Sequence, residues 1–231
     1  MTITLITGAN KGLGYETARQ LVALGHTVYV GARDTERGQA AADRLGARFI
    51  QLDVTDQASV DAAAKTIRET EGHLDVLVNN AGIGGSPTSP AELGADEMLR
   101  IYDVNVFGIV RVTQAFLPLL EASKAPVVVN VASGLGSKGV VTDPDRLESS
   151  LTPIAYASSK AAAVMLNLQY AKALPGLRIN VVDPGYTATD LNDHGGPQTV
   201  EEGAEIIVRM ATITPDGPTA TFQDRHGPLP W

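Results

Sequence analysis

Short apolar runs alternate with longer amphipathic stretches along the 231-residue chain. The short runs are rich in Val, Ile and Leu and indicate buried strands, whereas apolar residues recurring every three or four positions indicate helices. Strands are predicted at 3–7, 27–31, 48–52, 75–78, 126–131 and 178–182, with a short last one at 219–222. The alternation predicts a single α/β domain over residues 1–231, with a doubly wound parallel sheet of about seven strands and helices on both faces. In such a sheet ligands bind beyond the carboxyl ends of the strands.

The helical stretches follow the strands in order. A first helix ends at Gly25, and further helices are predicted at 35–45, 55–70, 95–120, 156–174 and 199–210. Asn105 lies inside one of them although asparagine is a poor interior helix residue, so it marks either a packing defect or a kink that frees a carbonyl. The segment 134–153 reads as irregular, because Gly-Ser, Asp-Pro and Thr-Pro turn signals recur in it.

Composition and charge narrow the classes of function. The formal net charge is −8 and no Lys/Arg cluster occurs, which argues against nucleic acid or an anionic membrane as partner. The chain has no cysteine, which excludes disulfides, zinc–thiolate sites and thiol catalysis. The four histidines lie on separate elements, so no metal site is predicted. With no signal peptide and no long uninterrupted apolar window, we expect a cytoplasmic protein.

A glycine-rich loop, Gly8-Ala9-Asn10-Lys11-Gly12-Leu13-Gly14, joins the first strand to the first helix. Glycines at this junction permit a tight turn and a close approach of backbone N–H groups to a pyrophosphate. The spacing is G-x-x-x-G-x-G and not the common G-x-G-x-x-G. Its place between strand and helix predicts a dinucleotide site.

The tip of the second strand, Ala32-Arg33-Asp34, bears on which dinucleotide binds. Folds that prefer NAD usually carry an acidic residue here for the ribose 2′-hydroxyl. This chain has Ala32 instead, followed by Arg33, and Lys11 is near in the glycine loop. Two cations suit a 2′-phosphate, so NADP(H) is the expected cofactor, with NAD(H) possible. Alternatively, Asp34 pairs with Arg33 at the start of the next helix.

Tyr156 and Lys160 stand four residues apart, which places them on one face of a helix. An ammonium held beside a phenol favours the phenolate, and we therefore expect Lys160 to lower the pKa of Tyr156. Taken alone, the pair is equally well read as a solvated pair on a surface helix.

Taken together, the motifs resemble those of the short-chain dehydrogenase/reductase family across essentially the whole chain. They occur in the family's order, namely the glycine loop from Thr7 to Gly14, Asn79-Asn80-Ala81-Gly82, Asn105, Ser133, Tyr156-x-x-x-Lys160 and Pro184-Gly185. The resemblance implies a Rossmann fold and is greatest to NADPH-dependent carbonyl reductases. The Tyr-x-x-x-Lys spacing argues against the family's divergent enoyl reductases.

The resemblance implies a catalytic tetrad of Asn105, Ser133, Tyr156 and Lys160. Tyr156 would protonate the developing alkoxide, and Ser133 would position the carbonyl oxygen. Lys160 would lower the pKa of the tyrosine and hold the nicotinamide ribose. Asn105 would offer its main-chain carbonyl to a water that relays protons to Lys160.

The resemblance also implies a set of cofactor contacts. Gly8, Gly12, Leu13 and Gly14 would frame the pyrophosphate, and Asn10, Lys11 and Arg33 would surround the 2′-phosphate. Asp53 and Val54 would contact the adenine, with Asn80, Ala81 and Gly82 on the adenosine side. Thr187 and Thr189, after Pro184-Gly185, would reach the carboxamide and the pyrophosphate.

One departure from the family pattern lies between Ser133 and Tyr156. The two residues are farther apart than is usual, so a segment is inserted there. In carbonyl reductases such an insertion covers a helix face otherwise used for dimerisation, and it leaves homo-oligomerisation open here.

The expected function is an NADPH-dependent oxidoreductase that transfers hydride to the carbonyl of a small ketone, aldehyde or quinone. One alternative is an NAD(P)-dependent alcohol dehydrogenase working oxidatively. Another is a non-catalytic NADP(H)-binding sensor, although such relatives typically lose the tyrosine or the lysine.

Overall fold

The computed structural model describes residues 1–85 and 89–231. Residues 83–94 are rich in Gly, Pro and Ser and are predicted to form a loop at the pocket. Residues 86–88 of this loop lie outside the described residues. Within the described residues one sheet has eight strands, namely β1 (Ile3–Thr7), β2 (Thr27–Ala32), β3 (Arg48–Gln51), β4 (Val76–Asn79), β5 (Val127–Val131), β6 (Arg178–Val182), β7 (Phe222–Asp224) and β8 (Gly227–Pro228).

The strand order β3-β2-β1-β4-β5-β6-β7-β8 is that of a doubly wound sheet. Every neighbouring pair is parallel except β7 and β8, so the predicted fold is confirmed with one short antiparallel strand added. The last parallel strand begins at Phe222 and not at 219, which corrects the predicted bounds. Ala220 has a φ of +57°, a left-handed conformation that an extended strand cannot contain.

Helices cover both faces of the sheet. They are α1 (Gly12–Ala23), α2 (Thr35–Leu45), α3 (Gln57–Thr70), α4 (Ala95–Tyr102), α5 (Gly108–Glu121), α6 (Lys138–Val141), α7 (Ile154–Ala173) and α8 (Val200–Ala211). Alternate strand residues supply two cores. Leu5 packs with α3, α5 and α7, whereas Ile6 packs with α1, α2 and α8.

The predicted long helix at 95–120 is interrupted at Asn105. A π-helical turn, Asp103–Phe107, separates α4 from α5, and this confirms the predicted kink. By length and composition the whole run Ala95–Glu121 is apolar enough to cross a membrane, but half of its most apolar window is buried inside the fold. It therefore serves as a core helix here, and cytoplasmic localisation stays a prediction.

The inserted segment at 134–153 is more regular than the sequence predicts. Two serines cap short helical turns, since Ser133 Oγ accepts from the N–H of Leu135 and Ser137 Oγ accepts from that of Val140. The C-terminal residues pack onto this segment. The N–H of Gly139 donates to the Trp231 carbonyl oxygen at 3.0 Å, and the Trp231 ring lies 6.2 Å from that of Phe222.

The inserted segment lies directly against α7 at Gly136. A Cβ added there would be 2.6 Å from the carbonyl carbon of Lys160, so the backbone of α7 would have to shift. We predict that Gly136→Ala lowers the free energy of unfolding by about 2 kcal/mol, measured by urea denaturation. Gly176→Ala is the matched control, because nothing lies within 4 Å of its added Cβ. Equal stability of the two variants would contradict the packing described.

Candidate active site

The predicted catalytic residues converge at the carboxyl edge of the sheet. Ser133 follows β5, Asn105 lies in the π-helical turn, and Tyr156 and Lys160 lie in the first two turns of α7. The carboxyl ends of parallel strands share one edge, and the helices that precede and follow them are brought to it. Ser133 acts on Tyr156, because hydrogen bonding by the Ser133 side chain lowers the pKa of the Tyr156 phenol.

The side chain of Asn105 is fully engaged inside the protein. Its Oδ1 accepts from the N–H of Ile83 at 2.9 Å, and its Nδ2 donates to the Ile83 carbonyl at 2.9 Å and to Ser159 Oγ at 3.0 Å. These bonds tie the π-helical turn both to the chain after β4 and to α7. Asn105 is thus a structural link between three elements, whatever its main-chain carbonyl does.

Lys160 is buried beneath the tyrosine ring. Its Nζ donates to the Val131 carbonyl at 2.9 Å and lies 5.5 Å from the centroid of the Tyr156 ring. Burial lowers the pKa of Lys160 to about 8, and the charge of Asp183 acts in the opposite direction. Lys160 is buried and Tyr156 is half-buried, so the reading of a solvated surface pair is wrong.

The expected lowering of the Tyr156 pKa by Lys160 needs correction. Burial raises the pKa of Tyr156, the charge of Asp183 raises it further, and the hydrogen bond with Ser133 lowers it. The ammonium faces the ring and not the hydroxyl, and its nearest hydrogen-bond partner is a carbonyl of β5. Desolvation of the phenol is therefore the largest cause of the shift in this geometry.

Asp183 is a site residue that the sequence reading did not single out. It follows β6, is only 5% exposed, and accepts a hydrogen bond from the N–H of Gly185 at 2.9 Å. Burial raises its pKa to about 6, with the charges of Glu148 and Asp224 adding to the effect and the N–H groups of Gly185 and Gly134 opposing it. An acidic residue at the end of a buried strand, directly before Pro-Gly, was the available signal.

The glycine loop forms a cradle whose shape fits a dinucleotide pyrophosphate. Gly8 and Gly12 have φ of +65° and +56°, and a Cβ on Gly14 would lie 2.5 Å from Asn80 Nδ2. Among the described residues no side chain caps the start of α1, so its first N–H groups remain for an anion. The side chain of Asn80 donates to the Thr7 and Gly8 carbonyls, so it supports the loop from behind.

The cations expected at a 2′-phosphate differ in their surroundings. Lys11 Nζ pairs with Asp190 at 2.5 Å, across the mouth of the cradle. Arg33 is exposed and has no hydrogen-bond or ion-pair partner among the described residues. Asp34 caps α2 and pairs with Arg37 at 3.4 Å, so the alternative pairing of Asp34 with Arg33 is wrong.

Arg33 and Asp53 line one cleft beside β3. One carboxylate oxygen of Asp53, Oδ1, already accepts from the N–H and hydroxyl of Thr55. Val54 is buried beneath Gly108, where a Cβ would meet it at 3.0 Å. The two bonds from Thr55 fix the Asp53 side chain. Its other carboxylate oxygen, Oδ2, has no hydrogen-bond partner among the described residues.

The segment after Pro184-Gly185 folds back over the glycine loop. Thr187 is buried, and its hydroxyl donates to the Pro184 carbonyl at 3.1 Å. Thr189 caps the turn Asp190–Asn192, and its methyl carbon is 3.8 Å from the Cβ position of Gly12. This segment and the glycine loop form two sides of one cleft.

A doubly wound sheet with a glycine cradle at its carboxyl edge, beside a Ser/Tyr/Lys cluster whose lysine is buried, has the arrangement of a dinucleotide-dependent oxidoreductase. A model of the short chain dehydrogenase family matches residues 2–199. The chain belongs to this family. Among residues 1–85 and 89–231, no group of three or more His, Asp and Glu side chains is placed to hold a metal ion.

Relatives of known activity match nearly the whole chain. (−)-Isopiperitenone reductase of Mentha piperita is 33% identical over 97% of this chain and 96% of that enzyme. The structure of salutaridine reductase from Papaver somniferum superposes with a TM-score of 0.85 at 29% identity, covering 97% of this chain and all of that one. NADPH-bound carbonyl reductase from chicken fatty liver also gives 0.85, at 26% identity over both complete chains.

The protein is therefore an enzyme of an oxidoreductase family that binds NAD(P)(H) and acts on carbonyl or alcohol substrates. The aligned length with the Mentha enzyme is 303 positions, more than the 231 residues of this chain, so that relative carries segments that are absent here.

The raised pKa of Asp183 predicts a pH dependence of stability. The folded protein keeps a proton on Asp183 up to about pH 6, whereas the unfolded chain loses it near the ordinary value of 3.8. This contribution is present below pH 3.8 and is lost as the pH rises through 6, with a size on the order of 2 kcal/mol. The Tm of the wild type, measured relative to Asp183→Asn, should thus fall across this window. If the Tm values of the wild type and Asp183→Asn changed in parallel with pH, the prediction would be contradicted.

Proposed function

We propose that the enzyme is an NADPH-dependent carbonyl reductase for ketones, aldehydes or quinones, with Tyr156 as the general acid. One observation carries the proposal: the buried Lys160 ammonium lies 5.5 Å from the centroid of the half-buried Tyr156 ring, and the Ser133 hydroxyl acts on the pKa of the same phenol. A proton donor, a second hydroxyl donor and a buried cation thus meet at one point. When bound, the nicotinamide cofactor supplies the hydride.

The proton chemistry follows from the burial of Tyr156. Because burial raises its pKa, the phenol keeps its proton at neutral pH and is ready to donate it to a developing alkoxide. Ser133 presents a second hydroxyl to the same oxygen, and a preorganised donor of this kind contributes ~3 kcal/mol in the transition state. This geometry favours reduction over the oxidative alternative at neutral pH.

The Lys160 ammonium has N–H donors that its bond to Val131 does not use. An ammonium has three N–H donors, and one is used on Val131. The remaining donors are available to the nicotinamide ribose hydroxyls and to a water on the Asn105 carbonyl, the route by which Tyr156 would be reprotonated. With its pKa near 8, Lys160 exchanges protons readily near neutral pH.

The cofactor contacts extend along the carboxyl edge. Gly8, Asn10, Gly12, Leu13 and Gly14 would hold the pyrophosphate and adjoining ribose through backbone N–H groups. Arg33 would bind the 2′-phosphate, and Lys11 would join it after exchanging its pairing with Asp190. The remaining contacts would come from Asp53, Val54, Asn80, Ala81, Gly82, Pro184, Gly185, Thr187 and Thr189.

The mouth of the site suits an apolar substrate. Large apolar side chains that are 40–60% exposed lie on the inserted segment, at the start of α7 and on the segment after Pro184-Gly185. They are Leu147, Leu151, Ile154, Tyr186 and Leu191. Exposed apolar residues on the segments that flank a cleft suit the binding of an apolar ligand. The relatives named (−)-isopiperitenone reductase and salutaridine reductase support a small-molecule substrate that is reduced.

The first test concerns the proton donor. Tyr156→Phe removes the hydroxyl but retains the ring over Lys160, so we expect ketone reduction to fall by at least ~100-fold while NADPH binding is retained. Steady-state assays and fluorescence titration with NADPH measure the two effects. Tyr170→Phe, on the same helix and remote from the site, is the control and should behave as wild type. Near-normal turnover by Tyr156→Phe would refute the role of this residue.

The second test concerns cofactor preference. Arg33→Ala should reduce the ratio of NADPH to NADH affinity by about tenfold, because a charge-assisted bond to the 2′-phosphate is lost while NADH has no such group. Calorimetric titration with each dinucleotide measures the ratio. Arg68→Ala, at the far end of α3, removes an equally exposed arginine and should leave the ratio unchanged. Equal affinities for both dinucleotides in the wild type would overturn the assignment.

A further inference from the structure

Asp183 lies where two functional turns meet. Its Oδ1 accepts from the N–H of Gly185 at 2.9 Å, in the Pro184-Gly185 turn that we assign to the cofactor. Its Oδ2 faces the other turn, since a Cβ on Gly134 would lie 2.9 Å from it. The N–H of Gly134 stabilises the carboxylate, and Gly134 directly follows Ser133. One carboxylate thus holds both turns.

The close approach of Asp183 also explains why residue 134 is a glycine. Glu148 Oε1 would be 2.8 Å from the same Cβ position on Gly134. Any side chain at this position would displace one of the two carboxylates. The lack of a side chain at Gly134 therefore allows the Asp183 carboxylate to approach the turn that carries Ser133.

The charge of Asp183 acts on both members of the pair. Tyr156 and Lys160 of α7 each respond to it. The other charged groups that face it are Glu148 on the short 3₁₀ turn and Asp224 on β7, and Glu148 is paired with Arg146 at 3.3 Å. Because Asp183 is 5% exposed, its field is screened little by solvent and salt.

We propose that Asp183 is a positioning residue that holds the Ser133 turn in register with the Pro184-Gly185 turn, and whose buried negative charge sets the pH range over which Tyr156 donates its proton. The proposal rests on the proposed acid role of Tyr156. A carboxylate beside the phenol disfavours phenolate, so it keeps the proton on Tyr156 to higher pH. The same charge favours the Lys160 ammonium.

The decisive variant is Asp183→Asn, which retains the side-chain shape and one oxygen acceptor but removes the charge. We expect the high-pH limb of kcat/KM for NADPH-dependent ketone reduction to move to lower pH by about one unit. Asp183→Glu restores the charge and should bring the limb back toward that of the wild type. Glu148→Gln is the matched control, because it neutralises the carboxylate on the other side of Gly134, whose charge does not act on Tyr156.

A second measurement is independent of turnover. With ring-labelled ¹³C-tyrosine, the Tyr156 signal is assigned by its loss in Tyr156→Phe, and its titration is followed in the NADPH complex of each protein. Onset of deprotonation at lower pH in Asp183→Asn supports the proposal. If the wild type reduces no carbonyl compound, the proposed function fails while this titration still tests Asp183.

Two outcomes would overturn the proposal. One is a uniform loss of activity in Asp183→Asn at all pH values with an unmoved limb and an unmoved titration, which would make Asp183 purely structural. The other is an equal shift of the high-pH limb in Glu148→Gln, which would assign the effect to the negative charge of the region as a whole and not to Asp183. If Asp183→Asn fails to fold, Asp183→Glu is compared with the wild type instead. Because this variant keeps the negative charge, the proposal predicts that both the high-pH limb of kcat/KM and the Tyr156 titration stay where they are in the wild type.

Discussion

The buried ammonium of Lys160 is the constraint on which the site depends. A charge removed from water must be given polar partners, and Lys160 finds one in the Val131 carbonyl at the end of β5. That bond fixes α7 against the sheet and thereby places the Tyr156 ring. The close approach of Gly136 to the backbone of Lys160 fixes the same helix from the other side. The Asp183 carboxylate supplies the nearby negative charge that burial of the ammonium calls for.

The π-helical turn serves the same end. An uninterrupted helix from Ala95 to Glu121 would carry Asn105 at a different angle, and its amide would not meet Ile83 and Ser159 together. Through these bonds one asparagine joins the chain after β4 to α7. The unfavourable geometry of the turn is offset by three hydrogen bonds of the Asn105 side chain, one buried and two partly buried, each contributing about 1 kcal/mol. The mid-helix asparagine is therefore part of the scaffold that holds α7.

The sequence predicted what depends on local pattern. The doubly wound parallel sheet and the glycine loop between the first strand and the first helix follow from periodicity and from residues that tolerate few environments, and the same reasoning marked Asn105 as an irregular position. The direction of the Tyr156 pKa did not follow, because spacing places Lys160 near the ring but cannot reveal that its Nζ points to β5. Asp183 was passed over for a related reason: before Pro-Gly it reads as a turn residue, and only the folded chain shows Gly134 and Glu148 against it. Capping by Ser133 and Ser137 likewise emerged only from three-dimensional contacts.

The two sides of the site are built by different means. The cofactor side consists of strand ends and the glycine loop, whose geometry is dictated by close backbone contacts that tolerate no added methyl group. The proposed substrate side consists of the inserted segment, held by Gly139 and Ser137 to the C-terminal residues, and of exposed apolar side chains. Substitutions of those exposed side chains alter the shape and polarity of the mouth while the contact between Gly136 and Lys160 and the bond from Lys160 to Val131 are kept. Substrate range can therefore diverge within this architecture while the proton-transfer groups stay fixed. The buried Asp183 carboxylate, which contacts Gly185 and Gly134, joins the two sides.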